Sequence, residues 1–368
     1  MAFEAVARIR SAALRNNLQR AREAAPGCPV MAVIKADAYG HGLVATAQAL
    51  DEADAFAVAR IAEALELRRA GIEKTIVLLS AWLDEAVISQ VRDHDLQLVV
   101  YDEAQIPLLM KNAAGRPLDA WLKIDSGMGR LGIAPENATD IIGRLQDSPG
   151  IAPGLRLMTH LSCADVTDDA ETEKQLRVFA ETIGDWRGDI SVANSAGILG
   201  WPDAVRSGSA VRYSGRNWIR PGLMLYGVSP LIGQTARDCG LQPAMIFEGR
   251  ILAVRRLNRG ASVGYGAEWR AGRDSRIGVI NVGYADGYPW RLSSRASVHV
   301  SDKTVPVVGR VSMDMTGIDL TDAPEIGPGD VVELWGEHVP VGELAGLAGT
   351  SPYELLTGVG ARVRRHFE

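Results

Sequence analysis

Lys35 ends an apolar, partly β-branched run, Val30-Met31-Ala32-Val33-Ile34, and a loop of small residues follows it, Ala36-Asp37-Ala38-Tyr39-Gly40-His41-Gly42. Such a run reads as a buried strand that delivers one amine to its own end. Burial disfavours the ammonium form, so the pKa of the amine should fall. A neutral amine so placed can form a Schiff base with a carbonyl compound, and pyridoxal phosphate is the usual biological aldehyde of that kind. Taken alone, Lys35 has a blander reading as a lysine that snorkels at a strand end.

The string around it carries more. AVIKADAYGHG at 32–42 resembles the cofactor-lysine segment of bacterial alanine racemases. Further matching strings recur in the family's order: WLKIDSGMGRLG at 121–132, MTHLSCAD at 158–165, ANSAGIL at 193–199 and WIRPGLMLYGVSP at 218–230. VGYGAEW at 263–269, VGYADGYP at 282–289, VGRVSMDM at 308–315 and SPYELL at 351–356 complete the series. The resemblance therefore covers nearly the full chain, and it implies an alanine racemase that uses pyridoxal 5'-phosphate to interconvert L- and D-alanine.

Racemisation removes the α-proton from one face of the α-carbon and returns one to the other, which suggests two bases. Lys35 can serve one face, and Tyr265 matches the family's second base. Tyr265 sits between Gly264 and Gly266, which permit an unusual backbone path. An isolated tyrosine titrates near ~10, so it needs cationic neighbours or a hydrogen-bond partner to act as a base. In the family the tyrosine reaches in from the second subunit, so the resemblance implies a homodimer with two shared sites.

The remaining roles also follow from the resemblance. Tyr39, Ser195, Gly222, the Leu223 backbone and Tyr353 match the phosphate contacts; His160, Asn194 and Arg220 complete the expected cofactor pocket. Arg220 would face the pyridine nitrogen; a guanidinium can only donate, so that nitrogen should stay unprotonated. His160 matches the residue that supports that arginine. Arg130 matches the contact to the substrate carboxylate, which a fork-shaped donor suits. The Met313 backbone matches a further carboxylate contact, flanked by Ser312 and Asp314 as positioning residues. Lys123 matches a lysine that is often carbamylated in relatives, where the added carboxylate orients the arginine. Asp165, Tyr284, Arg310 and Tyr353 match the access corridor. One departure occurs there: relatives often carry arginine after the Tyr-Pro pair, and this chain has Trp290. Asp165 then lacks an ion-pair partner, so either Arg310 takes it over or the corridor mouth is less polar. Ordinary readings stand beside these: His160 as a core histidine, Ser195 as a helix cap, Lys123 paired with Asp125.

Elements must bring these residues together. Apolar runs at 30–34, 55–59, 76–79, 96–100, 120–124, 155–159, 190–193 and 223–226 alternate with amphipathic stretches such as 61–70, 83–91 and 173–183. About eight βα pairs in ~230 residues predict an α/β chain built on a (β/α)8 TIM-type barrel. Lys35, Lys123, His160, Asn194 and Ser195 then fall at strand C-termini, where barrels keep their chemistry. Arg220 falls just before the last run, slightly off that pattern. After residue 240 the pattern changes to Val-rich alternating runs at 251–257, 277–282, 297–300, 305–308 and 331–334, with turns at Ser301-Asp302-Lys303 and Gly327-Pro328-Gly329-Asp330. This predicts a mainly β C-terminal domain. The expected division is 8–233 for the barrel and 234–368 for the β domain, which the N-terminal strand 1–7 joins in the resembling family.

Composition bounds the rest. With 368 residues, 47% hydrophobic and 23% charged, this is an ordinary globular chain. The net charge of −6 argues against a nucleic-acid partner. The three cysteines, Cys28, Cys163 and Cys239, show no zinc or disulfide spacing. No apolar run reaches the ~18 residues that span a bilayer, and the N-terminus lacks a signal-peptide core, so a cytoplasmic protein is expected. Two rivals stay open: a barrel-type decarboxylase of basic amino acids, and a non-catalytic cofactor carrier. Arg220 and Tyr265 speak against the first, and the β domain speaks against the second. A racemase of broader substrate range also remains.

Overall fold

The computed structural model describes residues 4–205 and 213–368. The chain opens with strand β1 (Val6–Ile9) and the helix Ser11–Ala24. Seven parallel strands follow: β2 (Met31–Val33), β3 (Ala55–Val58), β4 (Ile76–Leu78), β5 (Leu96–Val100), β6 (Ala120–Lys123), β7 (Arg156–Met158) and β8 (Ile190–Ser191). They pair in chain order. Parallel strands covered on both faces lose the period-two alternation and become continuous apolar runs. That is why β2, β3 and β4 are buried at every position.

The eighth position departs from the sequence expectation. Leu223–Tyr226 is a 3-10 helix, not a strand. The gap between β8 and β2 is closed by bridges Ile190 to Asn217, Asn194 to Arg220 and Val30 to Ile219. The closing segment carries the polar residues Asn217 and Arg220, both buried, so hydropathy passes over it. The correction moves Arg220 onto the closing strand position, in line with the other barrel residues.

Helices Ile61–Arg69, Glu85–Asp93, Pro135–Gln146 and Ala170–Ile183 cover the outside of the barrel. Asp84 caps one by accepting from Val87 N–H at 2.8 Å. Asp169 caps another by accepting from Glu171 N–H at 2.8 Å.

The second half holds β9 (Met245–Leu257), a two-stranded ribbon of β10 (Ser262–Val263) and β11 (Trp269–Arg270), then β12 (Ser275–Ile280), β13 (Ser297–Val300), β14 (Lys303–Val308), β15 (Thr316–Asp319), β16 (Val331–Trp335) and β17 (Arg364–Phe367). The order β12-β15-β14-β13-β16-β9 is closed into a ring by a further β12–β9 pairing. β9 is 13 residues long and serves both neighbours, β16 with its first half and β12 with its second. β1 pairs antiparallel with β9, from Val6 opposite Glu248 to Ile9 opposite Met245, and parallel with β17. The start of the chain thus lies in the sheet of the second half; residues 1–3 lie outside the described residues. The expected turn at Ser301-Asp302 joins β13 and β14, with Ser301 at φ 56°. Asn17 fastens the first helix to the connection between the halves, donating to Leu225 and Gln242 carbonyls at 2.9 and 2.8 Å.

Candidate active site

The chain after Lys35 makes one turn of left-handed helix. Ala36, Asp37, Ala38 and Tyr39 have φ between 51° and 54° and ψ between 40° and 56°. None of the four is glycine, and each L-residue so placed costs about 1–2 kcal/mol. Such strain persists only where surrounding contacts over-determine it. The Asp37 carboxylate accepts from Leu43 N–H at 2.7 Å, and Arg365 on β17 donates to the Gly40 carbonyl at 3.2 Å. At Gly40 a Cβ would lie 2.2 Å from the Leu356 carbonyl oxygen, so glycine is required. The turn throws Tyr39 onto Tyr226, with ring centroids 4.6 Å apart, and beside Tyr353 at 5.8 Å. Beneath them His41 is fully buried, which pushes its pKa down to about 4.

Lys35, Tyr39, Lys123, Arg130, His160, Asn194, Ser195, Arg220, Gly222, Leu223 and Tyr353 all border one cavity of about 610 Å³. The barrel brings together every residue of the first half expected at the cofactor and substrate, from strands far apart in sequence.

One end of the cavity gathers hydrogen-bond donors. Asn194, not Ser195, caps the helix Ser195–Gly200, accepting from Gly197 N–H at 3.0 Å. The Ser195 hydroxyl is thereby left to accept from Gly222 N–H at 2.8 Å and Met224 N–H at 3.3 Å. With both lone pairs engaged, its O–H has only a proton to offer. A Cβ at Gly222 would sit 2.6 Å from the Tyr39 hydroxyl, so the bare backbone there is what admits Tyr39.

The other end is cationic. Arg220 is 4% exposed and, among the described residues, meets no carboxylate. Its guanidinium donates to the Ser191 hydroxyl and to the Thr159 and Val192 carbonyls, the last two at 2.5 and 3.1 Å. Burial pulls its pKa down to about 10. Three oxygens hold the guanidinium, and His160, expected to support this arginine, borders the same cavity. The His160 ring feels the charge. Burial, then Arg220, Lys123 and Arg130, push its pKa well below the usual range and keep it neutral. Lys123 is 9% exposed, and burial with Arg220 and Arg130 nearby lowers its pKa to about 8. It is not paired with Asp125, whose carboxylate accepts from Gly127, Met128 and Gly129 N–H groups. Burial and Arg130 lower the pKa of Lys35 as well.

Apart from Tyr353, the expected β-domain residues stand apart from this cavity. Tyr265, Tyr284, Trp290 and Met313 are exposed. Gly264 and Gly266, at φ 73° and 74°, give Tyr265 its unusual path. Arg310 pairs with Glu268 and lies over the Trp290 ring at 5.7 Å. Of the two outcomes open at the corridor, Arg310 within this chain goes to Glu268 and Trp290. Asp165 borders a neighbouring cavity of about 910 Å³ that shares Tyr353 with the first. The Asp165 charge, after burial, helps raise the pKa of Tyr353. Ser312 and Met313 carbonyls accept from Tyr284 and Ala285 N–H at 3.0 Å, and Asp314 pairs with Arg362 at 2.7 Å. Ser191, Thr159 and Tyr226 were missed by sequence reasoning; Thr159 acts through its backbone carbonyl and Tyr226 through burial and stacking, roles that residue type alone does not mark. Among the described residues no cluster of three or more potential metal ligands occurs, and no helix is long and apolar enough to cross a membrane.

The chain is similar to known proteins over nearly its whole length. Residues 9–230 match the model for the alanine racemase N-terminal domain, and residues 244–367 match that for the alanine racemase C-terminal domain. The alanine racemases of Shewanella woodyi and Shewanella sediminis are 43% and 44% identical over 357 residues, 97% of each chain. Among solved structures, the biosynthetic alanine racemase of Pseudomonas aeruginosa superposes with a TM-score of 0.92 at 39% identity, covering 100% of both chains. The alanine racemase of Bartonella henselae, solved with covalently bound pyridoxal phosphate, gives 0.88 at 28% identity over 99% of both. The chain belongs to the alanine racemase family.

Proposed function

We propose that this chain interconverts L- and D-alanine, using Lys35 and a partner subunit's copy of its own Tyr265 as the two bases. The carrying observation is the one cavity in which a half-buried strand-end amine, a donor-rich end and an arginine held by three oxygens meet.

The residues present fit pyridoxal phosphate. The free Ser195 proton, the Tyr39 hydroxyl and the Leu223 backbone beside the side-chain-free Gly222 suit a phosphate. Lys35, with its lowered pKa, is a nucleophilic amine in reach of the same cavity. When bound, the cofactor supplies an aldehyde and a conjugated ring that draws electrons from an amino acid's α-carbon. Arg220 would face the ring nitrogen. As a donor held by three oxygens and no acid, it leaves that nitrogen unprotonated and tempers the pull of the ring. Tempering matters because racemisation needs the α-proton returned to carbon and not lost to transamination.

Lys35 Nζ takes or returns the α-proton on the face it occupies. Tyr265 Oη serves the other face. Tyr265 is exposed on the β domain and absent from the cavity lining of its own chain, which favours a homodimer with shared sites. Arg130 receives the substrate carboxylate, with the Met313 N–H from the partner as a second donor. Lys123, with a pKa near 8, has enough neutral amine to add carbon dioxide, and the carbamate would be balanced by Arg130 and Arg220. The D-alanine formed would enter peptidoglycan, or the reverse reaction would feed alanine catabolism. A decarboxylase is disfavoured because it would be expected to set an acid against the ring nitrogen, where this chain would present Arg220, and because of Tyr265.

Chiral chromatography of L-alanine incubated with the protein and pyridoxal phosphate tests the reading. D-alanine formation that is lost in Lys35→Ala and cut strongly in Tyr265→Phe is expected. Silence with alanine, serine, lysine and arginine would refute it.

A further inference from the structure

Glu63 lies in the first turn of the helix Ile61–Arg69, outside the cavity lining. Its carboxylate gathers three backbone N–H groups. One oxygen accepts from Ala36 at 2.6 Å, and the other accepts from Ala59 and Arg60, each at 2.9 Å. Ala36 is bonded directly to Lys35 and is the first left-handed residue. Ala59 and Arg60 follow β3. One carboxylate therefore staples the loops after the first two barrel strands, at the point where the chain leaves its ordinary conformation. Hydrogen bonds to an ionised acceptor are the stronger kind. The far end of the same turn is held by Arg365 at the Gly40 carbonyl. Among the groups that act on the Lys35 amine, Glu63 favours the charged form, against burial and Arg130.

We infer that Glu63 is a positioning residue for Lys35: its grip on Ala36 N–H sets the direction in which the left-handed turn presents the amine to the cavity. This rests on the reading of Lys35 as cofactor lysine and base. Glu63 touches neither substrate nor cofactor and acts only through the backbone and its charge.

The test compares Glu63→Ala and Glu63→Gln with wild type and Lys35→Ala, all loaded with pyridoxal phosphate. The readouts are kcat and KM per bound cofactor, cofactor retained after dialysis, the α-deuterium isotope effect from each enantiomer, and Tm. In Glu63→Ala, kcat should fall on the order of 10- to 100-fold with KM changed less than about 3-fold, as a misdirected reacting group predicts. The isotope effect should rise from one enantiomer only, because one base is displaced. Cofactor should also leave faster. Glu63→Gln keeps one acceptor oxygen and should fall between. Wild-type kcat, isotope effects and cofactor retention in both variants, with only a lower Tm, overturns the inference. If Glu63→Ala does not fold, Glu63→Gln decides: a lower kcat with a one-sided isotope effect supports it, and any other outcome overturns it. Racemisation surviving in Lys35→Ala would instead overturn the underlying reading.

Discussion

The Tyr39 hydroxyl occupies the space where a side chain at residue 222 would begin: a Cβ on Gly222 would lie 2.6 Å from it. Tyr39 cannot easily retreat. Its ring is stacked on Tyr226 and flanked by Tyr353, and its backbone is part of the left-handed turn. Gly222→Ala should therefore displace the hydroxyl and close the backbone approach together. Overpacking of this sort costs about 1–3 kcal/mol, on the order of 10- to 100-fold in Kd for pyridoxal phosphate. Titration followed by absorbance measures it; unchanged affinity would show that neither group contacts the phosphate.

Arg220 offers a second test. Arg220→Glu would put an acid beside the cofactor ring and favour a protonated nitrogen. Pyruvate formed from alanine per racemisation event should then rise by about 10-fold or more, because the stronger electron pull diverts turnover to transamination. Arg220→Lys keeps the charge but loses the fork that spans Ser191, Thr159 and Val192, so it should lower kcat without raising pyruvate. Equal pyruvate in all three proteins would contradict the assignment.

Lys123 links the site to pH. Its pKa falls from 10.5 to about 8 on folding, chiefly through burial and then Arg220 and Arg130. Between those values the unfolded chain binds a proton that the folded chain does not, so stability should rise with pH across that window. The slope for one group reaches at most about 1.4 kcal/mol per pH unit. Below pH 8 both states are protonated and the contribution is a constant penalty. Denaturant titrations of the cofactor-free protein in carbon-dioxide-free buffer, at pH 8 and pH 10, should show the rise, and Lys123→Met should flatten it. An identical slope in the variant would contradict the lowered pKa.

At the corridor, Trp290 lies under Arg310, which Glu268 also holds. Trp290→Arg would put a second cation there and release Arg310 from the ring. KM for alanine should change more than kcat, because the corridor governs access and the reacting atoms are elsewhere. A pure loss of kcat in steady-state kinetics would contradict this.

Much of the barrel was legible because β2 to β6 are short apolar runs whose burial on both faces leaves no ambiguity of face. A polar strand leaves no such trace. Asn217 and Arg220 close the barrel, yet the apolar Leu223–Tyr226 beside them, bounded by Gly222 and Gly227, is a 3-10 helix. The path of Tyr265 was legible from its two flanking glycines, both at positive φ. The left-handed turn after Lys35 was not, since none of its four residues is glycine and tertiary contacts impose it. The oxygens that hold Arg220 were equally silent, because two are backbone carbonyls and the third a lone serine hydroxyl.

The central claim is that one chain supplies Lys35 and its partner supplies Tyr265. The most direct test unfolds Lys35→Ala and Tyr265→Phe proteins together, refolds them with pyridoxal phosphate, isolates mixed dimers by distinct tags, and measures D-alanine by chiral chromatography. Each variant alone should be nearly inactive. A mixed dimer should contain one doubly altered site and one intact site, and so regain about half the wild-type activity per dimer. Mixed dimers that remain as inactive as their parents would show that both bases come from the same chain, and the account of a shared site would fail.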